Sequence, residues 1–318
     1  MRQAKSVERP ILALRKFQDP VRTATGERRA AVRLSGLKTL WFNTGTLCNL
    51  TCSNCYIESS PTNDRLAFLT VSEVAVFLDE LVGFGPGVEE IAFTGGEPFM
   101  NPDFLEMIDI AAGRGYRVLV LTNAMRPMMK RADDFLRLRE IYGDKLTVRV
   151  SLDHYSPALH DLYRGPRVFE RTLVGLRWLS QYEFRICLAG RTIWQESESE
   201  LRDGYACLCE REGIAVDTSD PTALVLFPEI DLAREVPEIS DQCWSIMGIS
   251  PEDMMCASSR MIVKRKGAER PVVLPCTLLP YDQQFELGET LGKAADSVYL
   301  NHPNCSAFCV LGGGSCGG

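Results

Sequence analysis

The stretch Leu47-Cys48-Asn49-Leu50-Thr51-Cys52-Ser53-Asn54-Cys55-Tyr56 decides how this chain is read. Its three cysteines stand directly behind an apolar run, residues 39–44, that has the length and composition of a strand. Three thiolates on one short loop can hold three irons of a cubane cluster and leave the fourth iron without a protein ligand. Soft thiolates select iron–sulfur clusters or zinc over hard cations. Zinc normally takes four protein ligands when it is structural, and no histidine lies near this loop. A structural zinc knuckle is the competing reading of the same residues.

Outward from the loop, a strand-then-helix rhythm begins. Strands are expected at 39–44, 90–94, 117–122, 145–152 and 185–194, with a sixth ending at 223–227. Helices are expected at 71–82, 101–114, 169–180 and 197–212. Thr70 followed by Glu73 is a capping box, and Asn101 stands at an N-cap position. Alternation of this kind builds a parallel sheet with right-handed crossovers. About six units fit between 39 and 228, so the expected fold is α/β, a partial (β/α)6 barrel with a small cysteine-rich C-terminal extension. We divide the chain into an N-terminal extension (1–37) with one short strand near 30–34, a core (38–234) and a cysteine-rich segment (235–318). In that last segment a hairpin is expected over 261–274, turning at Lys264–Ala268.

Two further motifs fall at strand ends. Phe93-Thr94-Gly95-Gly96-Glu97-Pro98 closes the second strand, and Val148-Arg149-Val150-Ser151-Leu152-Asp153 closes the fourth. Paired glycines let backbone approach another group closely. Ligand sites of such barrels gather at the C-terminal strand ends, where both motifs lie.

The Cys-x3-Cys-x2-Cys spacing, with Gly-Gly-Glu-Pro some 40 residues on and Ser-Leu-Asp beyond, resembles the radical S-adenosylmethionine superfamily. The likeness runs over about 39–228. One departure is that the aromatic usually found just before the third cysteine is Asn54 here, and Tyr56 follows instead. The resemblance implies a [4Fe–4S] cluster on Cys48, Cys52 and Cys55. It implies reductive cleavage of S-adenosylmethionine to a 5′-deoxyadenosyl radical, which takes a hydrogen atom from substrate. It implies cofactor contacts from Gly95, Gly96, Glu97 and Pro98, with Glu97 and main-chain carbonyls accepting from the cofactor ammonium. Thr122 and Asn123 are candidates for its ribose, Ser151 for its polar groups and Arg191 for its carboxylate, a pairing that suits guanidinium geometry. A reducing partner such as flavodoxin or ferredoxin is implied as well.

Six more cysteines lie beyond residue 235: Cys243, Cys256, Cys276, Cys305, Cys309 and Cys316. Cys256 and Cys276 flank the expected hairpin, and Cys305-x3-Cys309 is a second pair. Together they resemble the auxiliary-cluster domains called twitch and SPASM, without the full SPASM array. The reading is one auxiliary [4Fe–4S] cluster on Cys256, Cys276, Cys305 and Cys309, with Cys316 a further metal candidate. Zinc on the same four thiolates is the alternative. Cys187 is expected in the core. Cys207 and Cys209, two apart on one helix, do not share a face.

The composition is that of a globular chain, with 45% hydrophobic and 24% charged residues over 318 positions. A net charge of -7 argues against nucleic acid or an anionic membrane as partner. No export signal and no membrane-length apolar run is visible, which with twelve cysteines points to a reducing, cytoplasmic setting and metal-bound thiols. The 38 residues ahead of the first strand have no room for a leader-binding domain, which leans the substrate toward a small molecule or a short unaided peptide. Two other functions fit parts of the pattern: an iron–sulfur electron-transfer protein without its own substrate, and a zinc-stabilised binding module. Neither needs the Gly-Gly-Glu-Pro turn.

Overall fold

The computed structural model describes residues 16–84, 87–228, 230 and 235–314. Cys316, a candidate ligand above, lies outside them.

Six strands follow the expected positions: β2 (Thr39–Asn43), β3 (Glu90–Thr94), β4 (Arg117–Thr122), β5 (Leu146–Ser151), β6 (Arg185–Arg191) and β7 (Leu224–Phe227). Each pairs in parallel with the next. The expected hairpin forms from β8 (Ser259–Val263) and β9 (Val272–Leu274), which are antiparallel. It is not a separate unit of structure, because β8 pairs in parallel with β2. One eight-stranded sheet results, in the order β7-β6-β5-β4-β3-β2-β8-β9, open between β7 and β9. The strand expected near 30–34 is β1 (Ala31–Val32), paired with β10 (Val298–Tyr299) in a small second sheet.

The helices cover the outer face: α1 (Val71–Phe84), α2 (Phe104–Gly113), α3 (Arg126–Met129), α4 (Ala132–Tyr142), α5 (Pro157–Arg164), α6 (Val168–Gln181) and α7 (Glu198–Glu212); a short α8 (Cys243–Met247) follows. The Thr70 capping box closes as expected, with Glu73 N donating to Thr70 Oγ1 at 3.3 Å and Thr70 N to Glu73 Oε2 at 2.9 Å. Helix α2 starts three residues later than expected. Asn101 is fully buried; its Nδ2 donates to the carbonyls of Thr44 and Leu69 (3.0 and 2.9 Å), while its Oδ1 accepts from Asp103 N (2.9 Å) and caps the turn that leads into the helix. Helices α4 and α5 were not expected. The first buries only Phe135 and Leu138 and the second only His160, too thin a stripe to read by period.

Strand alternation sorts the sheet into two cores. Leu40, Phe42, Ile91, Phe93, Val118 and Val120 pack with the helices. Trp41, Ala92, Leu119 and Ala189 belong instead to a second core that holds Met255, Cys256, Leu278, Cys305 and Phe308. The C-terminal segment therefore fills the concave side of the sheet, and both faces of the strands are covered, as a parallel sheet requires.

Candidate active site

The last residue of each of six consecutive strands, Asn43, Thr94, Thr122, Ser151, Arg191 and Phe227, lines one cavity of about 170 Å³. Cys48, Cys52, Cys55, Gly95 and Gly96 line it too. Thr277 and Leu278, the two residues after Cys276, complete the wall from the C-terminal segment. Glu97 and Pro98 stand behind the wall. Nine of the sequence-predicted residues other than the C-terminal thiols, Asn123 and Ser151 among them, thus meet around one space at the end of the barrel where the strands' carboxyl termini point.

The loop from Thr44 to Ser60 is shaped by the turn it rests on. Gly96 N donates to Gly45 O at 2.8 Å and Glu97 N to Leu47 O at 3.0 Å. A Cβ on Gly96 would lie 2.2 Å from Leu47 O, and one on Gly95, at φ +145°, would lie 2.5 Å from Gly45 O. The glycine pair therefore lets two backbones approach, and the partner is the cysteine loop itself. Backbone amides already point at two sulfurs, Leu50 N at Cys48 Sγ (3.4 Å) and Ser59 N at Cys55 Sγ (3.3 Å). Burial pushes the Cys48 thiol up to about 12 and the Cys52 thiol upward too. Without a metal these sulfurs keep their protons, so ligand bonding would release them.

Glu97 is 2% exposed and accepts from Thr122 Oγ1 (2.8 Å), Asn123 N (2.9 Å) and Phe99 N (3.3 Å). Burial still outweighs these donors and lifts its pKa to about 7. Thr122, a ribose candidate by sequence, thus has its hydroxyl proton committed to Glu97. Asn123 continues the chain of contacts to the loop, its Nδ2 donating to Asn49 Oδ1 at 2.9 Å.

Asp153 is the other buried carboxylate. Burial alone would raise its pKa, but the Arg164 guanidinium, donating from Nη2 at 2.8 Å, overrides this, and Arg191 Nε at 3.7 Å adds to it; the group is held at about 2. Arg191 also lies over the Tyr56 ring, 3.9 Å from its centroid, in a cation–π contact. Tyr56 in turn donates to Pro228 O at 2.6 Å and meets Phe227 and Phe308 edge-on. The aromatic on the far side of Cys55 therefore fastens the loop to the C-terminal segment.

Four buried polar atoms on the residues of this cavity lack a partner among the described residues: Trp41 Nε1, Asn43 Nδ2, Ser59 Oγ and Arg164 Nε. Leaving a buried donor unsatisfied costs about 1–3 kcal/mol each, so the wall is built for a polar occupant. Trp41, Asn43, Tyr56 and Ser59 did not emerge as site residues from sequence; Arg164, with His160 and Asp161, continues the Ser-Leu-Asp likeness but had no role assigned. The one available signal was position: Asn43 closes a strand whose neighbours' ends were already implicated.

In the C-terminal segment Cys256, Cys276 and Cys305 are buried and Cys309 half-buried, all packed in the second core. Burial raises the Cys305 thiol well above its ordinary value, and its neighbours Cys276 and Cys256 raise it further. Cys256 is pushed up to about 11, also by burial. Cys305 and Cys309 share one π-helix, Cys305–Val310. Cys243 lies at the margin of the same core, 3.7 Å from Ser240 Oγ. Among the described residues no three ligating side chains converge on a single ion position. A cubane does not ask for that: each thiolate binds a different iron, so the sulfurs ring a volume rather than a point. Three thiols around a polar cavity fit such a cluster with one corner open.

An open α/β barrel with a three-thiol loop facing polar strand ends defines a class of iron–sulfur enzyme scaffold. The family model of the radical SAM superfamily matches residues 42–203, half of the chain, and the protein belongs to that superfamily. The superfamily uses a [4Fe–4S] cluster and S-adenosylmethionine. Among curated proteins, the antilisterial bacteriocin subtilosin biosynthesis protein AlbA of Bacillus subtilis is 31% identical over 157 residues, 49% of this chain and 33% of its own length. An AdoMet-dependent heme synthase of Methanosarcina barkeri is 32% identical over 138 residues, 43% of this chain and 37% of its own. The mycofactocin maturase MftC of Mycolicibacterium smegmatis is 27% identical over 166 residues, 52% and 40%. The chain thus matches only a third to two fifths of the length of these relatives. Its fold is similar to Streptococcus suis SuiB bound to S-adenosylmethionine (TM-score 0.58, 13% identity, 80% of this chain and 63% of that one). It is also similar to anSMEcpe with bound AdoMet (TM-score 0.57, 15% identity, 81% and 77%). No helix among the described residues is long and apolar enough to cross a membrane.

Proposed function

We propose that this chain cleaves S-adenosylmethionine reductively and directs the resulting radical at a peptide. The observation that carries the reading is the single cavity at which Cys48, Cys52, Cys55, the Gly95-Gly96 turn and six strand ends meet. In this reading the three thiolates hold a [4Fe–4S] cluster, which with S-adenosylmethionine supplies the 5′-deoxyadenosyl radical. The chain's own residues do the rest. Gly95 and Gly96 seat the cysteine loop. Ser151 and the unpartnered donors of Trp41, Asn43 and Arg164 orient the polar parts of the cofactor. Arg191, already close to Asp153 and stacked on Tyr56, offers a fixed guanidinium for a carboxylate, and Glu97 supports the turn from behind.

The peptide assignment is supported by what the relatives are named for: AlbA serves bacteriocin biosynthesis, and SuiB has been crystallised with its precursor peptide SuiA. A second, auxiliary cluster on Cys256, Cys276, Cys305 and Cys309 forms part of the proposal, supported by the mutual proximity of the first three thiols in a dry core. So do a protein reductant and a reducing compartment, which twelve cysteines favour.

The test is 5′-deoxyadenosine release by anaerobically reconstituted, reduced protein, beside a Cys48→Ala, Cys52→Ala, Cys55→Ala variant. Release by the native chain should fall to background in the variant. Equal release by both would overturn the cluster assignment.

A further inference from the structure

A second concavity of about 880 Å³ opens on the outer side of the barrel, against the back of the cysteine loop. Arg126, Lys130, Arg131 and Arg171 line it, and among the described residues no Asp or Glu does, on a chain whose net charge is -7. Arg126, Lys130 and Arg171 are exposed and have no carboxylate partner among the described residues. Arg131 is tied to the carbonyls of Asn101 and Pro102, both at 2.9 Å, which holds its charge at the groove without neutralising it. Met100, Met125 and Met129 share the apolar surface with Leu50, Phe99 and Val174. Thioethers adapt to varied contacts, a property suited to brief encounters.

The floor matters most. Leu50 lines both this groove and the cavity that holds the three thiols, and its backbone N–H donates to Cys48 Sγ at 3.4 Å. Leu50, Cys48, Cys52 and Met125 pack as one small apolar cluster. A molecule seated in the groove is therefore one side chain away from the Cys48 sulfur. Here a cationic surface and a short path to the redox centre coincide.

We propose that this groove is the docking face for a small acidic one-electron carrier protein that reduces the cluster on Cys48, Cys52 and Cys55; the inference rests on that cluster assignment. In the step, the reduced carrier gives up one electron and the cluster gains it, with no bond made or broken. Complementary charge raises the encounter rate and makes it salt-dependent, while a small interface lets the spent carrier leave.

The experiment follows cluster reduction by stopped flow, with flavodoxin hydroquinone as donor, in the reconstituted full chain. The variant is Arg126→Glu, Lys130→Glu, Arg171→Glu. Its second-order rate constant should fall by about tenfold or more at low salt, and the fall should shrink as salt is added. A matched reversal on a distant surface, Lys266→Glu, Arg270→Glu, Lys293→Glu, changes net charge equally and should lower the rate much less at low salt and by no more than about twofold near 0.15 M, where the Debye length is about 8 Å. Photoreduced deazaflavin, a small neutral donor, should reduce the cluster in all three proteins alike. An unchanged rate in the groove variant, or an equal fall in both reversals, would overturn the docking face. Failure of deazaflavin to produce a reduced cluster in the native chain would instead overturn the cluster assignment.

Discussion

The two groups of thiols in this chain sit in opposite surroundings. Cys48, Cys52 and Cys55 hang on a loop beside a cavity whose wall carries Asp153, Arg164, Arg191 and unpartnered polar atoms. Cys256, Cys276 and Cys305 are sunk among Met255, Leu278 and Phe308, where one guanidinium, Arg260, is the charged group at hand. Cysteine spacing alone makes both look like metal sites. Environment separates them: reactive centres keep an open, polar coordination position, and storage or structural centres are closed on every side. The first group has the makings of an open site and the second of a closed one.

The largest effect that would break this contrast is loss of metal. Replacing Cys256, Cys276, Cys305 and Cys309 by Ala should lower iron in the anaerobic protein by about four per chain, one four-cysteine cubane, while leaving the cluster on the loop. Iron unchanged, with the reconstituted chain still folded, would make the second group plain core thiols. Zinc in place of the lost iron would make it a structural ion site.

Much of this was legible in the sequence, and what was not has a physical reason. Strands and the three-thiol loop are local patterns, and β2 to β7 fall where alternation and spacing put them. The hairpin was legible as a pair, but its parallel seat on β2 depends on an edge more than 200 residues away in sequence. The Asp153–Arg164–Arg191 arrangement was half visible: Arg191 ends a strand, but that Asp153 binds it and Tyr56 underlies it follows only from how the strands assemble. Cys209 is buried and Cys207 exposed, as two residues on opposite sides of α7 should be.

A smaller effect sharpens the contrast inside the cavity. Glu97 and Asp153 are both buried, but Asp153 is bonded to a guanidinium, whereas Glu97 is bonded to neutral donors and feels Arg164 only through space. Their linkage to stability has opposite signs. Asp153 is depressed to about 2, so its contribution is present above the ordinary aspartate range and is lost as pH falls toward 2. Glu97 is raised from 4.5 to about 7, so the folded chain binds more protons than the unfolded chain across that window. Stability should therefore drop as pH rises from about 4.5 to 7, by on the order of 3 kcal/mol from this group. Urea unfolding at pH 5 and pH 8 without added S-adenosylmethionine should show that drop in the native chain and a much smaller one in Glu97→Gln. The same drop in both would mean that another group titrates there.

The smallest effect concerns the closed site and reads its charge. Arg260 is fully buried, and its guanidinium donates to the carbonyls of Ala294 (2.7 Å), Cys256 (2.7 Å) and Ser259 (2.8 Å). No carboxylate pairs with it among the described residues. Carbonyls satisfy its N–H groups but do not cancel its charge, and an uncompensated buried ion costs several kcal/mol. The thiols of Cys256 and Cys276 are the groups of opposite polarity that face it, and a metal centre ligated by thiolates carries net negative charge. On this argument the centre and Arg260 neutralise one another, and the cation makes added electrons easier to hold. If Cys256, Cys276, Cys305 and Cys309 hold the proposed cluster, Arg260→Met should move its reduction potential to more negative values by on the order of 60 mV, a tenfold change in a one-electron equilibrium. Arg260→Lys should restore part of the shift, and the loop cluster should keep its potential in both. An EPR-monitored redox titration separates the two centres. If both potentials move together, the two thiol groups share one electrostatic environment after all, and the division between an open and a closed site fails.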